Sequence, residues 1–141
     1  GVESLIGKYV ALAGSRFLRA EVNYTYLYTT NDAGDVSKYI ANHPNHDLSF
    51  ILSYQGEYLG VTSTTHFIQR NSESVTAING RIQSDYTLSH LKVEAMPFSR
   101  NSVRFYMKVH NLLDTDYQEI LGAQMPGRWV MGGLRWNFRD R

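Results

Sequence analysis

The sequence predicts an all-β fold, an antiparallel sheet of about seven strands that reads as a segment of a transmembrane β-barrel. Three observations carry this. Apolar and polar residues alternate with a period of two over long stretches, the connections alternate between long and short, and charges recur at mid-strand on the polar side. The composition agrees: 10 Tyr, 6 Phe and 2 Trp suit strands and interfacial girdles, and net charge is only +1 over 141 residues. No basic tract points to nucleic acid, and the absence of Cys leaves neither a disulfide framework nor a thiolate metal site.

In chain order, Gly1 to Ala13 reads as a first strand, with Val2, Ser4, Ile6, Lys8 and Val10 against Glu3, Leu5, Gly7 and Tyr9. Ala13-Gly14-Ser15-Arg16 supplies a short turn. The second strand is the cleanest: Leu18, Ala20, Val22, Tyr24, Tyr26 and Tyr28 interleave with Arg19, Glu21, Asn23, Thr25, Leu27 and Thr29. Its dozen or so residues suit a tilted membrane strand better than a soluble strand of ~5–6 residues. Asn31 to Asn45 is a long polar connection. A third strand sets Leu48, Phe50, Leu52 and Tyr54 against Asp47, Ser49, Ile51 and Ser53, and Gln55-Gly56-Glu57 turns it into a fourth from about Tyr58 to Gln69. The fourth has a weak apolar side of Leu59, Val61, Ser63, Thr65 and Phe67.

Arg70 to Ser84 is again long and polar. Leu91, Val93 and Ala95 then oppose His90, Lys92 and Glu94, and Pro97 to Asn101 makes a short turn. In the sixth strand Val103, Phe105, Met107 and Val109 oppose Arg104, Tyr106, Lys108 and His110. A loop from Leu112 to Gly127 leads to the last strand, with Val130, Gly132, Leu134, Trp136 and Phe138 on one side and Met131, Gly133, Arg135 and Asn137 on the other.

The polar sides carry Arg19, Glu21, Asp47, Lys92, Glu94, Arg104, Lys108 and Arg135. A water-filled or plugged lumen accounts for such charges and a lipid-facing exterior for the apolar band; a half-exposed sheet of a soluble β-protein is the alternative. No apolar run approaches the ~20 residues of a spanning helix. Gly1-Val2-Glu3-Ser4 lacks the basic and apolar regions of a signal peptide, so an export signal is expected outside this chain. Seven strands is an odd number, whereas bacterial barrels close with an even one, so residues 1–141 are expected to be the end of a larger barrel.

Asn111-Leu112-Leu113-Asp114-Thr115-Asp116-Tyr117-Gln118, then Gly122-Ala123-Gln124-Met125-Pro126-Gly127-Arg128 and a strand ending Leu134-Arg135-Trp136-Asn137-Phe138, resembles the C-terminus of TonB-dependent outer-membrane receptors. Ala20 to Tyr26 and Pro44-Asn45-His46 are similar to the family's later barrel strands. Leu113 stands where the family commonly has Phe, and Arg139-Asp140-Arg141 extends past the terminal aromatic.

The resemblance implies a 22-stranded barrel in a Gram-negative outer membrane, its lumen holding a plug domain. It implies import of a scarce nutrient such as an iron-siderophore, haem or cobalamin, driven by TonB through an N-terminal part outside this chain. Leu134, Trp136 and Phe138 would be the terminal signal read by the outer-membrane assembly machinery. The remaining partners would be membrane lipid and the rest of the receptor. An interaction or adhesin role for the external loops, or a soluble β-barrel binding protein, are the readings left beside it.

Candidate sites are few. Tyr39, His43 and His46 fall in one expected external loop, where a histidine pair could ligate haem iron or a metal, or His46 could simply precede a strand. Asp114, Asp116 and Glu119 crowd another loop and could hold calcium, or be solvated. No catalytic constellation or nucleotide motif stands out, so the expectation is a non-enzyme without a cofactor.

Overall fold

The structure, a computed structural model, describes residues 1–28, 44–70, 85–97, 103–119 and 123–137. Its elements are β1 (Val2–Ala11), β2 (Phe17–Tyr26), β3 (Pro44–Gln55), β4 (Leu59–Arg70), β5 (Asp85–Ala95), β6 (Val103–His110) and β7 (Trp129–Trp136). They form one open seven-stranded sheet in the order β1-β2-β3-β4-β5-β6-β7, every neighbouring pair antiparallel. This is the expected all-β meander.

Two boundaries differ from the sequence expectation. β3 begins at Pro44, before the apolar alternation starts, so His46 lies in a strand opposite Tyr26 rather than in a loop. Proline is tolerated there because it is the first residue of the strand, and the register shifts between Pro44 and His46. β5 begins at Asp85, where Tyr86 and Leu88 alternate with Asp85, Thr87 and Ser89 in the opposite phase to Leu91, Val93 and Ala95, so that the two apolar residues lie on the charged face and are buried there. Pairing with β4 from Gln69↔Asp85 onwards holds it extended.

The meander topology gathers the connections at two rims. The strand ends joined after β1, β3 and β5 lie at one rim, here the turn rim, and those joined after β2, β4 and β6 at the other, the loop rim. The short turn expected at Pro97 to Asn101 and the long connections Asn31 to Asn45 and Arg70 to Ser84 fall largely outside the described residues. Leu12 donates its N–H to Arg16 O at 2.8 Å around Gly14, whose φ of 73° favours glycine. At the second turn Gly56 N–H bonds Leu59 O at 2.7 Å, and Met96, only 2% exposed, donates its N–H to Tyr58 O at 2.8 Å.

Register fixes the faces, because directly opposed residues point the same way. One apolar row runs Val10, Leu18, Tyr54, Val61, Val93, Met107 and Gly132, and others include Ile6, Val22 and Phe50 or Ala95, Phe105 and Leu134. Arg19, Glu21, Asp47, Lys92, Glu94, Arg104, Lys108 and Arg135 all fall on the opposite face, as expected. The apolar face is uncovered: Ile6 is 70% exposed, Leu52 52%, Val130 60% and Trp136 59%. In β4 and β5 it is interrupted by Ser63, Thr65, Thr87 and Ser89, and Thr65 Oγ1 and Ser89 Oγ satisfy one another at 3.1 Å. Lys8 also stands on this face, and its long stem can carry the ammonium toward the turn rim.

Candidate functional site

Two constructions stand out, both on the charged face of β4 to β7 or at its loop rim. The first is a clasp. β5 reaches further toward the loop rim than β6, since the β5–β6 register runs only from Leu91↔Val109 to Ala95↔Phe105. The segment after β6 supplies donors where the ladder stops. Leu112 N–H donates to Ser89 O at 2.7 Å, and Thr115 Oγ1 donates to Thr87 O at 2.9 Å.

Asn111 makes that turn possible. It is 2% exposed and sits at φ 50°, a left-handed conformation that asparagine tolerates. Its Nδ2 donates to Thr115 O at 2.8 Å, and its Oδ1 accepts Thr115 N–H at 2.9 Å. Asp114, at φ 55°, accepts the Arg128 N–H on Oδ1 at 2.6 Å and has the Arg128 guanidinium 3.6 Å from Oδ2. A Cβ at Gly127 would meet Asp114 Oδ1 at 2.9 Å, so the Pro126-Gly127-Arg128 stretch is fitted to that carboxylate. Tyr117 lies on Tyr86 with ring centroids 5.3 Å apart. Arg70 stands 5.3 Å over the Tyr86 ring and donates to Glu119 O at 3.1 Å. Burial and the nearby Glu119 carboxylate raise the Tyr117 pKa above the usual phenol value. Asp114 is thereby committed to Arg128, and among the described residues no group of three or more His, Asp or Glu is arranged to hold a metal ion.

The second construction is a cationic cleft. Lys92 lies directly opposite Lys108, and Thr62 lies opposite Lys92 on the other side. One same-face step toward the loop rim, Thr64 lies opposite His90, whose ring centroid is 5.2 Å from that of His110. These six residues, with Leu91 and Val109 between them, line a cavity of about 300 Å³. His110 stacks on Trp129 at 4.1 Å and 3°, which fixes its ring. Asn111 N–H donates to His90 Nδ1 at 3.3 Å, so the neutral His90 ring carries its proton on Nε2. Lys92 Nζ is 2.8 Å from Glu94 Oε1, while Lys108 has no carboxylate or hydrogen-bond partner among the described residues. Hydroxyls, ammonium groups and imidazoles in this arrangement can hold an anion.

Of the two histidines expected to act together, His46 is described and is not in that cleft. His46 stands on the apolar face, its Nδ1 hydrogen-bonded to Tyr24 Oη at 2.8 Å and its ring 4.9 Å from that of Tyr26. Tyr39 and His43 lie outside the described residues, as does Phe138. Leu134 and Trp136 are exposed on the apolar face of β7. The sequence pattern puts His90, Lys92, Lys108 and His110 on the polar sides of their strands but does not join them into a site, because the cleft comes from three strands and no single-strand pattern connects them. Counting outward from the turn between β5 and β6 would have paired Lys92 with Lys108. Searches against protein-family models, curated proteins and solved structures gave no match.

Proposed function

We propose that the chain is part of the barrel wall of an outer-membrane TonB-dependent receptor that imports a scarce nutrient of the iron-siderophore, haem or cobalamin kind. The observation that carries the membrane part is the sheet's two-sidedness. An uncovered apolar face backs onto a face bearing eight of the chain's charges, and the strands run 8 to 12 residues. A soluble sheet buries its apolar side against another layer, whereas in a barrel lipid covers it. Tyr24, Tyr26 and His46 at the loop rim, and Trp136 at the turn rim, suit the polar–apolar boundaries of a bilayer. The receptor part rests on the sequence resemblance. β1 and β7 are the sheet's edges, and in this reading the remaining barrel strands pair with them.

Leu52 and Ile51 are adjacent but face opposite sides, Ile51 lying opposite Glu21. In the full-length protein folded into lipid vesicles, Leu52→Arg should destabilise by about 2–4 kcal/mol near the bilayer midplane. Ile51→Arg should cost far less. Urea titrations of both variants decide the matter: if Leu52→Arg stays within about 0.5 kcal/mol of the parent, as at an ordinary water-exposed position, the membrane reading is wrong. The receptor reading has its own test, the identity of a nutrient that co-purifies with the full-length protein or supports growth through it. Adhesion with no such uptake would replace it.

A further inference from the structure

We infer that the Lys92–Lys108 cleft is a binding site for a small multivalent oxyanion, one bearing phosphate or carboxylate groups. The argument begins with cost. Like charges directly opposed across an antiparallel pair destabilise it, and Lys92 and Lys108 are such a pair. One carboxylate, Glu94, serves the two ammonium groups, and it is engaged with Lys92. A sheet that needed only a polar surface here could place an acid at one of the two opposed positions. Instead Glu94, two residues along β5, meets Lys92 as Glu21 meets Arg19 in β2, where Nε donates to Oε1 at 2.8 Å, and β6 offers Lys108 no such acid.

The surroundings are built for an acceptor. Thr62 and Thr64 add hydroxyl donors, and His90 presents Nε2–H because Asn111 N–H occupies Nδ1. The stacking of His110 on Trp129 preorganises the far wall. Strands ~4.8 Å apart and same-face steps of ~7 Å make this grid roughly 10 Å by 7 Å, the span of a molecule with two anionic groups rather than a single halide. Beside the cleft Glu94 is engaged with Lys92, and further toward the turn rim on the same face Arg104 lies opposite Arg135, with Arg104 Nε buried and without a hydrogen-bond partner among the described residues. The field of β5 to β7 therefore draws anions to this part of the sheet. The inference rests on three paired strands and their register, so it stands whether lipid or another layer covers the apolar face.

The experiment uses the full-length protein in detergent, with inorganic pyrophosphate and succinate as separate probes and sodium chloride at matched ionic strength as reference. At least one probe should bind by calorimetry and raise the unfolding midpoint more than chloride does. The tighter of the two identifies the anionic group. Lys108→Gln removes the unpaired ammonium and relieves the opposed charges, so it should fold at least as well without probe, yet bind about tenfold or more weakly. Thr64→Val, a near-isosteric change, should weaken binding less. Lys8→Gln, on the opposite face, should change nothing. Binding no stronger than chloride's, or unchanged by Lys108→Gln, overturns the site. So does a loss that appears only in Arg104→Gln/Arg135→Gln, which would assign the charge to an acidic segment covering the basic strip.

Discussion

Asn111→Ala should open the clasp at the loop rim, and its effect can be worked from the geometry. The side chain, 2% exposed, holds Thr115 at both ends of its peptide unit, accepting the N–H at 2.9 Å and donating to the C=O at 2.8 Å. Each bond contributes about 1 kcal/mol net. Alanine at φ 50° adds about 1 kcal/mol of backbone strain that asparagine largely avoids. The total is ~3 kcal/mol against local opening, which corresponds to exchange on the order of a hundredfold faster at the Thr115 amide. The assay is hydrogen–deuterium exchange of the detergent-solubilised protein, read at Thr115 and Leu112, with the central amides of β3 as an internal reference. Asn111→Gly supplies the control. In an ordinary strand glycine would be worse than alanine by ~0.5–1 kcal/mol, but at positive φ it should be no worse. Unchanged Thr115 protection in Asn111→Ala, or a glycine variant clearly weaker than alanine, would refute the reasoning.

Further outcomes follow from single contacts. Gly127→Ala puts a Cβ 2.9 Å from Asp114 Oδ1 and should cost ~1 kcal/mol by displacing that carboxylate from the Arg128 N–H; with Asp114→Ala already present the same change should cost much less, a double-mutant cycle in urea being the measurement. Gly133→Ala would bring a Cβ within 2.5 Å of Tyr106 Oη, so the ring lying across the glycine must move, and the thermal midpoint should fall by the equivalent of about 1–3 kcal/mol. Tyr117 has a folded-state pKa above its unfolded value, so the stability it contributes is complete below the unfolded phenol pKa of about 10 and is lost as pH rises through the folded value. Tyr117→Phe should flatten that alkaline limb of the stability profile; an identical limb in the variant would show that Tyr117 does not cause it.

Strand number, order and the short turns at Gly14 and Gly56 were legible because period-two alternation and turn residues are local signals. The faces were legible for the same reason, which is why all eight mid-strand charges fell together. Strand ends were less so. His46 is extended because β2 offers it a ladder, and in Asp85–Ser89 the alternation is present but in the opposite phase to Leu91, Val93 and Ala95, so it does not lengthen the apolar side that marks the strand. The weak apolar side of β4 also has a cause visible only in the pairing: Thr65 meets Ser89, and each hydroxyl satisfies the other. The cleft lay beyond local reading altogether. Thr62, Lys92 and Lys108 are neighbours only once two registers are fixed, and a one-residue slip in either would turn one strand's residues to the other face.

The residues that carry the family resemblance are the same residues that build the clasp. Asn111 holds Thr115, Asp114 holds Arg128, Gly127 leaves room for that carboxylate, and Tyr117 rests on Tyr86. Leu112 and Thr115, held by Asn111, close the gap where β5 outruns β6, and the Asp114–Arg128 contact ties the same segment to the residues just before β7. Such a motif answers a problem of construction, the satisfaction of strand carbonyls at a rim, and every barrel with this offset has the problem whatever it binds. The contacts these residues make are those of loop closure, and they do not tell one ligand from another. Information of that kind belongs to side chains whose placement costs stability and gains nothing inside the chain. Among the described residues Lys108 is the clearest case, opposed by Lys92 and unpaired, and its cleft is the place in this sheet where ligand chemistry should be sought.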